Sequence, residues 1–213
     1  MEGKKHVKFE GRLVFVGFGS VGQGSLPLLL RHVDMPHERI SIVTGDERGR
    51  AEAAHFGIKF EVRPLTRQNY RAILDPLIGR GDFLLNLSVD VSSVALIELC
   101  YEKGAMYMDT CIEPWLGGYT DQSVTPSMRS NYGLREAVRA LRDKYPNSGP
   151  TVIPTHGANP GLISHWVKQA LLDIARDAKG EIKTPKTRDA WAKLAMELGV
   201  KTIHCAERDT QVA

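Results

Sequence analysis

The sequence predicts an α/β fold, a doubly wound parallel sheet with helices on both faces. Three observations carry this. Short apolar runs alternate with helix-period segments through the first half, and that alternation builds parallel sheets with helical crossovers. A glycine-rich turn, Gly17-Phe18-Gly19-Ser20-Val21-Gly22, joins the first run to the first helical segment. The rhythm changes after Asp109, where residues 111–130 carry Pro, Gly, Ser and Thr and read as a long loop.

The elements follow in order. Leu13 to Val16 predicts the first strand, with a helix to about Arg31 behind it. Pro27 falls inside that helix and removes one backbone bond at a cost of ~3 kcal/mol, so a bend near Gln23 and Gly24 is expected. Ile40 to Val43 is the second strand, Arg48 to His55 a short helix, and Ile58 to Val62 the third strand. Thr66 is the expected cap of a helix to about Ile78. Phe83 to Leu87 reads as a fourth strand, buried on both faces. Ser92 is the expected cap of a helix to about Glu102, and Ala105 to Met108 is the fifth strand. Beyond the loop come a helix from Asn131 to Lys144, a strand from Thr151 to Ile153, helices over 161–178 and 187–198, and a strand from Lys201 to His204.

Composition bounds the function. The 213 residues are 42% hydrophobic and 25% charged, an ordinary globular balance for one large domain or one domain plus part of another. A net charge of +3 with both signs interspersed excludes a strong nucleic-acid footprint. The longest apolar run, Leu26 to Leu30, is far short of the ~20 residues of a membrane span. Met1 to Gly11 lacks the apolar stretch of a signal peptide, so a cytoplasmic location is expected. Cys100, Cys111 and Cys205 are odd in number and widely spaced, which gives neither a disulfide framework nor a metal site.

The glycine turn is a GxGxxG fingerprint in its proper setting, after a strand and at the start of a helix. The first glycine makes the tight turn, the second lets backbone approach a pyrophosphate, and the third allows close helix packing. Gly17, Gly19, Ser20, Val21 and Gly22 are therefore the expected phosphate cradle of a Rossmann-like domain, with the helix N-terminus facing the anion. Asp46, just past the second strand, is placed to accept the ribose hydroxyls, and a carboxylate there repels a 2′-phosphate. NAD is thus expected over NADP, although Arg48 or Arg50 would suit that phosphate. Ligands of open parallel sheets sit outside the carboxyl ends of the strands. Leu87, Ser88 and Val89 are expected to pack on the adenosine half or linking ribose. Asp90 either reaches a substrate cleft or caps the next helix. Glu113 is a further acid beyond the fifth strand. Cys111 is better read as a structural thiol than as a nucleophile.

The sequence also resembles a known family. Val14 to Gln23, Pro27 to His32, Asn86 to Asp90, Thr155-His156-Gly157-Ala158-Asn159-Pro160-Gly161 and Ala206-Glu207-Arg208-Asp209-Thr210-Gln211 together resemble the bacterial homospermidine synthases of the saccharopine dehydrogenase-like group. The resemblance covers nearly the whole chain, and the last two motifs are more specific than the glycine fingerprint. It implies a redox-neutral use of NAD. A diamine, putrescine, is oxidised at an amine-bearing carbon, a second diamine attacks the imine, ammonia leaves, and the new imine is reduced.

On that resemblance Glu207 and Asn159 are the expected catalytic residues, and Glu113 and Asp90 the acids for the diamine. Thr155, His156 and Ala158 join the cofactor contacts. The resemblance divides the chain into residues 1–158, a nucleotide domain, and 159–213, the beginning of a catalytic domain. It reads the chain as an N-terminal portion, expected to be inactive alone. A saccharopine or carboxynorspermidine dehydrogenase relative, or a regulatory NAD-binding module without chemistry, are the competing readings. A homodimer is compatible with all of these.

Overall fold

The computed structural model describes residues 4–145, 149–206 and 208. In chain order its elements are β1 (Val7–Lys8), β2 (Leu13–Val16), α1 (Ser20–His32), β3 (Val33–Asp34), a 3-10 turn (His37–Arg39), β4 (Ile40–Thr44), α2 (Arg50–His55) and β5 (Lys59–Val62). Then come α3 (Tyr70–Leu74), β6 (Phe83–Asn86), α4 (Ser93–Lys103), β7 (Met106–Asp109), α5 (Asn131–Lys144), β8 (Val152–Ile153), α6 (Leu162–Lys179) and α7 (Arg188–Glu197). The chain divides into two compact units between Thr155 and His156.

Six strands form one sheet in the order β5-β4-β2-β6-β7-β8, all parallel. The earliest strand of this sheet, β2, therefore lies inside it, and the order of strands reverses beside it. Val16 stands opposite Val43 on one side and Asn86 on the other, and Asn86 stands opposite Asp109. This register brings the carboxyl ends of four strands to one edge.

The strands are short apolar runs because both faces are covered. On one face Val14, Val16, Val43, Leu84 and Tyr107 pack with Leu74, Leu96, Leu99 and Leu141 of the helices. On the other, Leu13, Phe15, Ile40 and Ile42 pack with Leu26 of α1 and Ala53 of α2. Over β6 and β7 that second face opens into an apolar trough of about 340 Å³, bordered by Leu29, Phe83, Leu85, Met106 and Met108. No helix of the described residues is long and apolar enough to cross a membrane.

Several expectations need correction. The helix expected from Thr66 to Ile78 is only Tyr70–Leu74. Thr66 is not its side-chain cap; the Thr66 N–H instead donates to Asn69 Oδ1 at 2.7 Å. Asp75 keeps helical torsions and donates its N–H to the Arg71 carbonyl, but Pro76 has no N–H with which to carry the ladder on. The helix expected from Arg48 begins at Arg50, because Gly49 at φ +82° breaks the path into it. β1 and β3, a two-stranded parallel ladder, were not expected. The α1 helix continues through Pro27, as expected.

In the second unit, Leu171, Leu172 and Ala175 of α6 pack with Leu194 of α7. Lys201 to His204 form no strand and are exposed. A strand must satisfy its backbone groups on a neighbour, and the described residues of this unit contain no other strand.

Candidate functional site

Gly17 leaves β2 at φ +84°, with its N–H donating to the Val43 carbonyl at 2.8 Å. A Cβ here would lie 2.7 Å from both Cα and N of Ser88, so the turn after β2 and the turn after β6 touch through backbone alone. Gly19 has an ordinary φ, and a Cβ there would meet nothing within 4 Å. The space above Gly19 is open to an incoming group. Gly22 is buried, and its missing Cβ leaves room for the Phe18 ring. Phe18 is fully buried, edge-on to Phe15 and Phe60. Starting at Ser20, α1 has no side-chain cap and no acid in its first turn. Its leading N–H groups and positive dipole end are free for an anion. Ser20 and Val21 are exposed at this end. The cradle fits a pyrophosphate.

Beside it lies a cleft of about 280 Å³ lined by Gly17, Gly19, Asp46, Arg48, Leu87 and Ser88. The structure thus brings the glycine turn, Asp46, Leu87 and Ser88 together around one cleft. Nε and Nη2 of Arg48 donate to Asp46 Oδ2 at 2.9 and 2.7 Å, and the Arg48 N–H donates to Oδ1 at 2.9 Å. These bonds hold the Asp46 carboxyl below its usual range. Arg50 points elsewhere, pairing with Glu47 and lying 4.8 Å over the Phe60 ring.

The strand ends are tied by a buried polar chain. Ser88 donates through Oγ to Asn86 Oδ1 at 2.6 Å and through N–H to the same oxygen at 3.2 Å. Asn86 Nδ2 donates to the Tyr107 hydroxyl at 3.1 Å, which donates to Asp109 Oδ2 at 2.7 Å. Asp109 Oδ1 accepts the Thr155 N–H at 2.5 Å, with Thr155 itself at φ +59°. Asp109 has no exposed surface, and burial raises its carboxyl above the usual range. One chain of hydrogen bonds therefore fixes the exits of β6, β7 and β8.

Two acids stand outward of this chain. Ser92 caps α4 by accepting the Ala95 N–H, so the cap is not Asp90. Asp90 sits at φ +61°, and its carbonyl accepts the Leu116 N–H at 3.1 Å. It borders a second hollow of about 210 Å³ with Val16, Thr44, Pro64, Leu65 and Ser88. Glu113 is held through its backbone, its N–H donating to Ser93 Oγ at 3.0 Å and its carbonyl accepting the Ser93 N–H at 2.9 Å. Burial raises its carboxyl, opposed by bonds from the Asp90 backbone, Tyr119 and Cys111. Burial likewise raises the Cys111 thiol and pushes Tyr119 up to about 12. A thiol so raised stays protonated near neutrality, which suits a structural role rather than a nucleophile.

His156, Ala158 and Asn159 belong to the second unit. The His156 ring lies edge-on to His165 at 5.5 Å, the Ala158 carbonyl accepts the Ile163 N–H, and Asn159 Nδ2 points to Cys205 Sγ at 3.9 Å. Glu207 lies outside the described residues. Among the described residues no group of three His, Cys, Asp or Glu could hold a metal ion. Sequence reading did not assign Ser93, Tyr107 or Tyr119 to the site. Only strand register and the fold of the 111–130 loop bring them there.

Residues 13–153 match the family model described as the saccharopine dehydrogenase NADP binding domain. The homospermidine synthase of Blastochloris viridis is 46% identical over 209 residues, 97% of this chain and 44% of that protein. The homospermidine synthase of Mesorhizobium japonicum is 44% identical over 94% of this chain and 42% of its own length. A crystal structure of the homospermidine synthase from Legionella pneumophila in complex with NAD superposes with a TM-score of 0.83 and 41% identity. It covers 98% of this chain and 42% of that one. The chain spans less than half the length of each of these relatives.

Proposed function

Because the chain belongs to the saccharopine dehydrogenase NADP-binding-domain family, we propose that it is the dinucleotide-binding portion of a cytoplasmic homospermidine synthase that uses NAD. The observation that carries this reading is the 46% identity, across 97% of the chain, to a homospermidine synthase. The site agrees with it in chemistry. The strand ends beside the dinucleotide cleft carry the acids Asp90 and Glu113, which suit a diamine; a carboxylated substrate would call for arginines.

In this reading NAD, when bound, would supply a hydride acceptor and then a hydride donor, so the net change would be two putrescines to homospermidine and ammonia. Gly17, Gly19, Ser20, Val21 and Gly22 hold the pyrophosphate, Asp46 the ribose, and Leu87 and Ser88 the adenosine side. Thr155, His156 and Ala158 serve the nicotinamide end. Asp90 and Glu113 hold ammonium groups. Asn159 hydrogen-bonds the reacting nitrogen, and Glu207 takes the proton that the amine must lose before hydride leaves. Residues 159–213 then open the catalytic domain.

The test pairs calorimetry with mass spectrometry of products from putrescine and NAD, with the Blastochloris viridis relative run in parallel. The 213-residue chain is expected to bind NAD and form no homospermidine, while the relative does both. Failure to bind NAD would sink the reading.

A pH effect also follows. Glu113 has a raised pKa in the free chain, and a bound ammonium must lower it. Between those two values binding expels a proton, so putrescine affinity rises with pH. The upper edge of that window, set by the free chain, lies above the usual glutamate value of 4.5. Calorimetry in buffers of different ionisation heat should show the proton released, and Glu113→Gln should abolish the release. Equal proton release from Glu113→Gln would remove Glu113 from the ammonium site.

A further inference from the structure

We propose that Arg48 is a latent receptor for the 2′-phosphate of NADP, kept out of use by Asp46, so that one side chain sets the choice of dinucleotide. The inference rests on the reading that this cleft takes a dinucleotide.

Asp46 and Arg48 line the same cleft. In the free chain the Arg48 guanidinium spends two donors on Asp46 Oδ2, and the Arg48 backbone N–H takes Oδ1. A carboxylate offers about four lone-pair positions. Arg48 takes three of them, so Asp46 keeps one for a ribose hydroxyl while it holds Arg48. A 2′-phosphate brings ~1.5 to 2 negative charges to that spot. It meets a like charge on Asp46 and a guanidinium whose fork is already engaged.

Removing the Asp46 carboxylate changes both facts at once. The Arg48 side chain is 81% exposed, so no packing holds it in its present direction. Freed, its planar fork matches a phosphate bidentately. Neighbouring cations are committed differently. Arg50 is bound to Glu47 and lies over Phe60. Lys59 and Arg63 both pair with Glu61. Among these cations, Arg48 alone is both at the cleft and released by a single substitution at Asp46.

The experiment titrates NAD and NADP into the unaltered chain, Asp46→Ser, Asp46→Ser/Arg48→Ala and Asp46→Ser/Arg50→Ala, with thermal melts to confirm folding. The side chains changed are at least partly exposed, so the melts should coincide. The unaltered chain is expected to favour NAD by tenfold or more. Asp46→Ser should weaken NAD severalfold and strengthen NADP at least tenfold. That gain should vanish in Asp46→Ser/Arg48→Ala and survive in Asp46→Ser/Arg50→Ala. It should also shrink as salt rises, because the new contact is exposed. An Asp46→Ser chain that still binds NAD but gains no NADP affinity overturns the inference and leaves the dinucleotide reading standing. So does a gain that persists without Arg48. If the unaltered chain binds neither nucleotide, the dinucleotide reading falls and takes this inference with it.

Discussion

Gly17→Ala is expected to abolish dinucleotide binding and to cost the nucleotide unit roughly 2–5 kcal/mol of stability. Two terms add. A side chain in the left-handed region costs about 1–2 kcal/mol, and Gly17 stands at φ +84°. Overpacking costs about 1–3 kcal/mol, and a Cβ here would lie 2.7 Å from Cα and N of Ser88. Neither of those atoms is the end of a flexible side chain. Ser88 is moreover anchored twice to Asn86 Oδ1, so the turn cannot step aside without breaking that anchor. Gly19→Ala is the informative contrast. Its backbone is unstrained and its Cβ meets nothing, so stability should hold within about 0.5 kcal/mol. The added methyl would nevertheless occupy the approach to the pyrophosphate, and NAD affinity should drop at least tenfold. Urea unfolding and calorimetry on both variants separate the two effects. Native stability in Gly17→Ala would show that the contact with Ser88 is not rigid.

Asp109→Ala should be about as damaging, for a different reason. Truncation leaves the Tyr107 hydroxyl and the Thr155 N–H without their acceptor. Each buried orphan costs about 1–3 kcal/mol, and part of this is returned because a costly buried charge is removed. A net loss of about 2–4 kcal/mol is expected from these terms. The pH dependence has a definite sign. Asp109 has a folded pKa raised above the ordinary 3.8, chiefly by burial. In the window from 3.8 up to the raised value, the folded chain holds more protons than the unfolded one. Stability from this group is therefore full below 3.8 and falls as pH rises through the window. Asp109→Asn lacks that slope. The stability difference between the native chain and Asp109→Asn should be largest in acid and shrink toward neutrality. Exposed acids with lowered values, such as Asp46 and Glu47, act oppositely, but they are common to both chains and cancel. A difference that grows toward neutral pH would refute the assignment.

Much of the sheet was legible because burial on both faces writes itself as continuous apolar runs. Leu13 to Val16 and Ile40 to Val43 needed nothing else. Where local pattern and tertiary context disagree, the sequence misleads. Ile203 and His204 alternate like a strand, yet without a neighbouring edge they remain exposed coil. Thr66 looks like a cap, but Asn69 closes that turn from the other side. The two-residue strands Val7–Lys8 and Val33–Asp34 carry too little pattern to be noticed. The cradle was readable because its glycines sit next to one another. The chain from Ser88 to Thr155 was not, because Asn86 and Asp109 become neighbours only when β6 and β7 pair in register. Arg48 and Arg50 were equivalent as letters. Gly49 at φ +82° and the Phe60 ring separate them in space.

The position of β2 inside the sheet has a kinetic consequence. Leu13 pairs with Ile40 on one side and with Phe83 on the other. As the chain is synthesised, one edge of this strand finds its partner early. The other waits until a far more distant segment has emerged. Loop closure must be met before such remote pairings return any free energy, and parallel sheets of this kind nucleate slowly for that reason. During that interval an apolar strand with an unpaired edge is open to solvent and to other chains, the state most prone to aggregate. The same arrangement that places the cradle at the reversal of strand order leaves one edge of β2 without its partner until residues 83–86 are available to pair.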